Sequence, residues 1–148
     1  MSQDIVCTAN VSRYYGNNAE LMAKYRQIAE SGKCPFCEPY IENERRGTTE
    51  FWNIVLNQFP YKNARLHWLI LPKRHVTELT GLTIEEWSDL YKAITKLETD
   101  NQLPLCNGYG VGLRTGPVGG VTLHHLHWHV ILPEAGESGV IPVNFGIG

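Results

Sequence analysis

The amino-acid sequence predicts an α+β fold: a mainly antiparallel sheet of about five strands with two main helices. Three observations carry this. Apolar residues recur at helical spacing in two stretches, residues 19 to 29 and 84 to 97. Aromatic and β-branched runs bounded by turn residues read as strands at 50 to 56, 65 to 71 and 109 to 114. Helices and hairpin-like strands interleave irregularly, unlike the regular alternation of a parallel sheet. With 148 residues, no internal repeat and no sign of a second unit, the chain reads as one domain over 1–148.

Each element has a local reason. Residues 1 to 16 show no clear period and read as a loosely held N-terminal arm. Asn17 or Asn18 can cap the first helix, in which Leu21, Tyr25, Ile28 and Ala29 form an apolar stripe, and Gly32 is its stop. A Cys34-Pro35-Phe36-Cys37 turn follows, then a polar stretch at 38 to 49 that reads as a loop or the start of a hairpin. Residues 50 to 56 and 65 to 71, joined by a turn at 57 to 63, read as an antiparallel pair stopped by Pro72. Thr83 and Glu86 match a capping box. Trp87, Leu90, Tyr91, Ile94 and Leu97 then recur as the core stripe of a helix ending near Thr99. After a turn at 101 to 108 comes a third strand thinned by glycine, then a glycine-rich loop at 115 to 120. The tail from Pro133 can add a short edge strand around 140 to 145.

Charge and composition exclude some functions. A net charge of −2 gives no general attraction for a nucleic-acid polymer, whereas a small anionic ligand needs only a few local groups. No apolar run approaches the roughly 20 residues of a membrane span. Residues 1 to 4 lack the basic start and apolar core of a signal peptide, so the cytoplasm is the expected location. In that setting a CxxC pair reads as a metal half-site or a redox pair, while Cys7 and Cys106 have no argued role.

The most informative stretch is His124-His125-Leu126-His127-Trp128-His129-Val130-Ile131-Leu132. Read as a strand, it puts His125, His127 and His129 on one face and Leu126, Trp128 and Val130 on the other. A core strand has no structural use for three imidazoles in a row, each with polar nitrogens that need partners. Metal binding and phosphoryl chemistry are the better readings. Cys34 and Cys37 need two histidines to close a tetrahedral zinc site, with His67, His75, His124, His125, His127 and His129 as candidates. The glycines of 110 to 120, leading to Thr122, can present backbone N–H groups to an anion. A neutral imidazole can attack phosphorus without a separate base.

These residues carry a resemblance. His125-Leu126-His127-Trp128-His129-Val130-Ile131 matches the HxHxH signature of the histidine triad (HIT) family of nucleotide hydrolases and transferases. Residues 69 to 76, Leu-Ile-Leu-Pro-Lys-Arg-His-Val, resemble the family's Pro-Lys-x-His strand end. Asn57-Gln58-Phe59-Pro60-Tyr61 resembles a turn of its dinucleoside polyphosphate branch, and the CxxC resembles that of its zinc-containing members. The resemblance implies a HIT-like fold and His127 as the nucleophile that forms a covalent nucleotidyl-histidine. It implies His129 and Thr122 at the α-phosphate, Asn57 at the ribose, and His67 beside the triad. His67 reads equally well as a strand histidine bonded to backbone. The resemblance further implies a structural zinc on Cys34, Cys37, His75 and His125, a nucleotide substrate, and a homodimer. His124 faces away from the triad and reads as structural.

Three departures stand out. Gly120-Val121-Thr122 lacks the Gln that many members use toward the leaving group. Arg114 stands where several members have Asn, and is a candidate for the phosphate. The turn between Asn57 and His67 is two residues longer than usual. The alternative is a nucleotide-binding or scaffold protein with little or no turnover.

Overall fold

The structure, a computed structural model, describes residues 4–101 and 107–148. Cys106 and most of the expected turn at 101 to 108 lie outside the described residues. In chain order the elements are α1 (Thr8–Tyr15), α2 (Ala19–Ser31), β1 (Arg45–Thr48), β2 (Trp52–Leu56), β3 (Ala64–Pro72), α3 (Ile84–Asn101), β4 (Gly110–Leu113), α4 (Gly116–Gly119), β5 (Trp128–Pro133), β6 (Ala135–Gly136) and β7 (Gly139–Val140). Five strands form one antiparallel sheet in the order β1-β2-β3-β5-β4. The expected fold class is the one observed.

The central strands are buried on both faces, which explains their nearly continuous apolar runs. Trp52, Ile54, Trp68, Ile70 and Val130 pack on Leu90, Ala93 and Leu97 of α3. Val55, Leu69 and Leu71 face the other way, onto Ile41 and Phe36. The capping box holds α3 as expected: Glu86 N–H donates to Thr83 Oγ1 at 3.1 Å, and Thr83 N–H to Glu86 Oε2 at 2.8 Å. Of the expected core stripe, Leu90 and Leu97 are buried and Ile94 packs against them, joined by Ala93. Trp87 and Tyr91 stand 49% and 74% exposed, and Glu86 and Asp89 are buried as well. Helical spacing places all of these positions on one side of the axis, and only the docking of the sheet decides which edge of that side is covered.

The N-terminal reading is also corrected. Residues 8–15 form α1, tied down by Asn10, whose Nδ2 donates to the carbonyls of Pro117 (2.9 Å) and Val121 (2.8 Å). Val6 bridges Leu123, and Val6, Val11 and Leu123 share a small core. A helix of eight residues has too few turns to show a period, and its buried polar anchor carries no hydrophobic signal. In α2, Asn18 is the cap and Gly32 the left-handed stop, but Ala29 is exposed; Met22 joins Leu21, Tyr25 and Ile28 instead.

The polar stretch at 38 to 49 contains edge strand β1, paired with β2 as the hairpin start that the sequence allowed. Two further differences bear on the site. The glycine-rich loop contains a short helix, α4. The tail forms a two-stranded ribbon, β6 with β7, and not an edge strand at 140 to 145. Pro142 has no N–H to give a ladder there.

Candidate functional site

The histidine row is only partly a strand. β5 begins at Trp128, so His129 lies in the ladder, paired with Leu69 and Gly112, while His125 and His127 precede it. The backbone of this approach bonds elsewhere: His124 N–H to Ile5 O (2.8 Å) and Leu126 N–H to Val76 O (2.6 Å). Thr122 O receives Cys7 N–H at 2.9 Å. A loop bridged to the N-terminal segment thus aims the first two histidines, and a sheet strand holds the third. His124 is buried.

Backbone partners set the tautomers of all three. His125 Nε2 lies 2.9 Å from Pro72 O; a carbonyl only accepts, so this nitrogen holds the proton and Nδ1 keeps a free lone pair. His127 reverses the arrangement. Its Nδ1 donates to His125 O at 2.7 Å, leaving Nε2 as the free base. His129 is set at one remove. Tyr61 N–H donates to His67 Nδ1 (3.1 Å), so His67 carries its proton on Nε2 and donates to His129 Nδ1 (2.8 Å). The His129 proton therefore sits on Nε2, which is buried and has no partner among the described residues. Burial lowers the pKa of all three, as it does for His67, which falls to about 4. At neutral pH the row is uncharged.

Behind His125 the four expected metal ligands come together. The ligating atoms of Cys34, Cys37, His75 and His125 all lie within 4.8 Å of one another. His125 Nδ1 is 3.4 Å from each sulfur, Cys37 Sγ is 3.3 Å from His75 Nδ1, and the two Nδ1 atoms are 3.1 Å apart. Ligand bonds to zinc of about 2.0–2.3 Å in a tetrahedron require edges of roughly 3.3–3.8 Å. The donor set fits zinc, and the Pro72 carbonyl supplies the outer partner that orients a metal-bound imidazole. Burial raises the Cys34 thiol to about 12, so a cation is what would draw it into the thiolate form.

On the other side of the row lies a cavity of about 620 Å³, lined by His127, His129, Thr122, Asn57 and Arg114 among others. Asn57, just past the end of β2, sets its amide against the His67 ring at 3.3 Å and accepts Phe59 N–H. Thr122 Oγ1 is 3.1 Å from the Tyr25 hydroxyl. Arg114, just past the end of β4, donates from Nη1 to Tyr61 OH (2.6 Å) and from Nε to Gly146 O (2.5 Å), and the Phe145 ring stacks on its guanidinium at 4.0 Å. Each residue expected at the nucleotide or the metal thus belongs to this cavity wall or to the metal cluster, except His67, which stands behind them against His129.

The sequence left out several wall residues. Phe36, inside the CxxC turn, packs against both His125 and His127. Tyr61, inside the quoted turn, stacks on His129 with centroids 5.4 Å apart. Tyr15 and Tyr25 come from segments with no motif, and only tertiary packing brings them here.

The model of the HIT domain family matches residues 41–136. An AP-4-A phosphorylase of Mycobacterium tuberculosis is 33% identical over 91 residues, 60% of this chain and 46% of the relative. The chain therefore matches about half the length of that protein. The bifunctional bis(5'-adenosyl)-triphosphatase/adenylylsulfatase FHIT of Arabidopsis thaliana is 33% identical over 75 residues, 48% of this chain and 40% of the relative. Among solved structures, a histidine triad nucleotide-binding protein from Candida albicans superposes with a TM-score of 0.56 at 25% identity, covering 71% of this chain and 75% of that one.

Proposed function

The chain belongs to the HIT domain family, and from that membership we propose that it is a nucleotide hydrolase or nucleotidyl transferase acting at an α-phosphate. The observation that carries this reading is the free Nε2 of His127, left bare by the Nδ1 bond to His125 O and set in the cavity wall. In the first step the Nε2 lone pair forms a bond to the α-phosphorus. The bond to the leaving oxygen breaks with its electron pair on that oxygen. The imidazolium so formed keeps its Nδ1 proton on the His125 carbonyl. Water or phosphate then forms a new P–O bond, the P–N pair returns to Nε2, and the acceptor's proton is released.

The other residues assist. His129 Nε2–H and the Thr122 hydroxyl donate to phosphoryl oxygens, where charge grows in the transition state. Asn57 holds the ribose, and Arg114 adds positive charge. Cys34, Cys37, His75 and His125 hold a structural zinc, which pins the loop two residues before the nucleophile. The names of the two relatives and the Asn57–Tyr61 turn favour a dinucleoside polyphosphate as substrate. The reading includes a homodimer. Ile84, Trp87 and Tyr91 stand exposed along α3, and a mass measurement in solution tests the pairing.

The decisive experiment offers diadenosine tetraphosphate and adenosine 5'-phosphoramidate to wild type and His127→Ala and follows AMP or ADP release. Wild type turns over at least one and His127→Ala neither. Equal activity of the variant overturns the nucleophile. Tight nucleotide binding without turnover in wild type would mean that a binding protein stands here, its Gln replaced by the buried Val121.

A further inference from the structure

Beyond the triad, the cavity wall changes character. Tyr15 and Tyr25, from α1 and α2, stack with ring centroids 5.7 Å apart, and the Tyr25 hydroxyl reaches Thr122 Oγ1. Tyr61 joins them from the 57–63 turn, its hydroxyl accepting from Arg114 Nη1, so its own proton is free to point outward. Among the described residues no carboxylate lies within ion-pair range of Arg114. Asn57 follows β2 and Arg114 follows β4, with β3 and β5 between those strands in the sheet. A nucleoside held at Asn57 with its phosphate at the triad directs the departing group toward the tyrosines and Arg114.

We propose that Tyr15, Tyr25, Tyr61 and Arg114 form the leaving-group subsite, and that it selects an anionic, phosphate-type leaving group over an amine. The inference rests on the proposed transfer chemistry and adds its specificity. Three phenol hydroxyls and one guanidinium with no carboxylate in ion-pair range among the described residues complement the terminal oxygen of a departing phosphate, where the electron pair of the broken P–O bond comes to rest. An amine leaving group needs the opposite: it departs only after receiving a proton. None of these four side chains is an acid near neutrality. Burial raises all three phenols above their ordinary value, and a guanidinium keeps its proton. The subsite thus stabilises an anion and cannot protonate nitrogen, in keeping with the missing Gln at Val121.

The test compares kcat/KM for diadenosine tetraphosphate and adenosine 5'-phosphoramidate in wild type, Arg114→Met and Tyr15→Phe. Wild type favours the anhydride. Each variant lowers the anhydride-to-phosphoramidate ratio, by about tenfold to a hundredfold for Arg114→Met and less for Tyr15→Phe, the range for a hydrogen bond to a charged group. Tyr15→Phe keeps the ring in its stack, so its result stands even if Arg114→Met disturbs the tail. An unchanged ratio in both variants, or a wild-type preference for the phosphoramidate, overturns the subsite. Should neither substrate turn over, the transfer reading fails, and the subsite is judged on binding alone. ADP binding more tightly than AMP in wild type, with the difference lost in Arg114→Met, sustains it; equal affinities in wild type overturn it.

Discussion

His67 Nε2 lies 2.8 Å from His129 Nδ1, and this bond leaves the His129 proton on Nε2. The chain of donors starts at a backbone amide, Tyr61 N–H, and ends at a buried N–H with no acceptor among the described residues. His67→Phe keeps the volume but releases His129. It is expected to lower kcat by about 10- to 100-fold, as for other misplaced catalytic groups, with zinc content unchanged. Nitrogen chemical shifts of the His129 ring give a second readout: one Nε2–H tautomer in wild type, a mixture in the variant. A single unchanged tautomer in His67→Phe would disprove the relay.

The same burial predicts an acid-side loss of stability. His67 has its pKa lowered from 6.5 to about 4, so below 6.5 the unfolded chain takes up a proton that the folded chain refuses. Stability is complete above that value and falls as pH drops toward 4, at up to about 1.4 kcal/mol per unit for this group. Urea midpoints measured from pH 7 to 4 should slope downward, and less steeply in His67→Phe.

Metal removal gives a third expectation. Cys34 is buried and His75 is exposed, yet both complete the same four-ligand set. Chelation, Cys34→Ser or His75→Ala should each bring zinc well below one per chain. A loss of about 3 kcal/mol would lower Tm by roughly 6–12 °C for a chain of this size. A protein purified without chelator that holds no zinc and melts as before would remove the metal from the reading.

Glu86 ties the start of α3 to the segment that presents His75. Its carboxylate takes two bonds from Arg74, at 2.8 and 2.9 Å, and one from Thr83 N–H. Arg74 holds the Glu86 pKa below its usual value, so this contribution is present above about pH 4.5 and disappears as pH falls through the lowered value. Glu86→Gln should cost about 1–2 kcal/mol at pH 7, since it weakens both cap and ion pair. The difference from wild type should shrink in acid. A constant difference down to pH 3 would show that the charge does not matter.

Gly112 sits beneath the returning tail. A Cβ there would lie 2.6 Å from the Phe145 ring, which stacks on Arg114 and packs against His129. Gly112→Ala is expected to displace Phe145 and weaken nucleotide binding by about tenfold through the loss of the Arg114 seat, while the fold persists. Calorimetric titration with ADP checks it, and unchanged affinity would mean that the tail is no part of the wall.

Much of this protein was legible in the sequence because the signals are local. Alternation put Trp128 and Val130 opposite His129, the capping box marked the start of α3, and the CxxC spacing announced a metal half-site. These depend on spacing along a few residues of chain. What only the tertiary structure decided depends on groups distant in sequence. It left Trp87 and Tyr91 at the uncovered edge of the α3 stripe, and it folded the N-terminal arm onto the 115–125 loop through one buried asparagine. It also divided the three histidines between a bridged loop and a ladder. Above all it set their protons, because a tautomer is chosen by the carbonyl or amide that meets each ring, and Pro72 and Tyr61 meet theirs only once the sheet has formed.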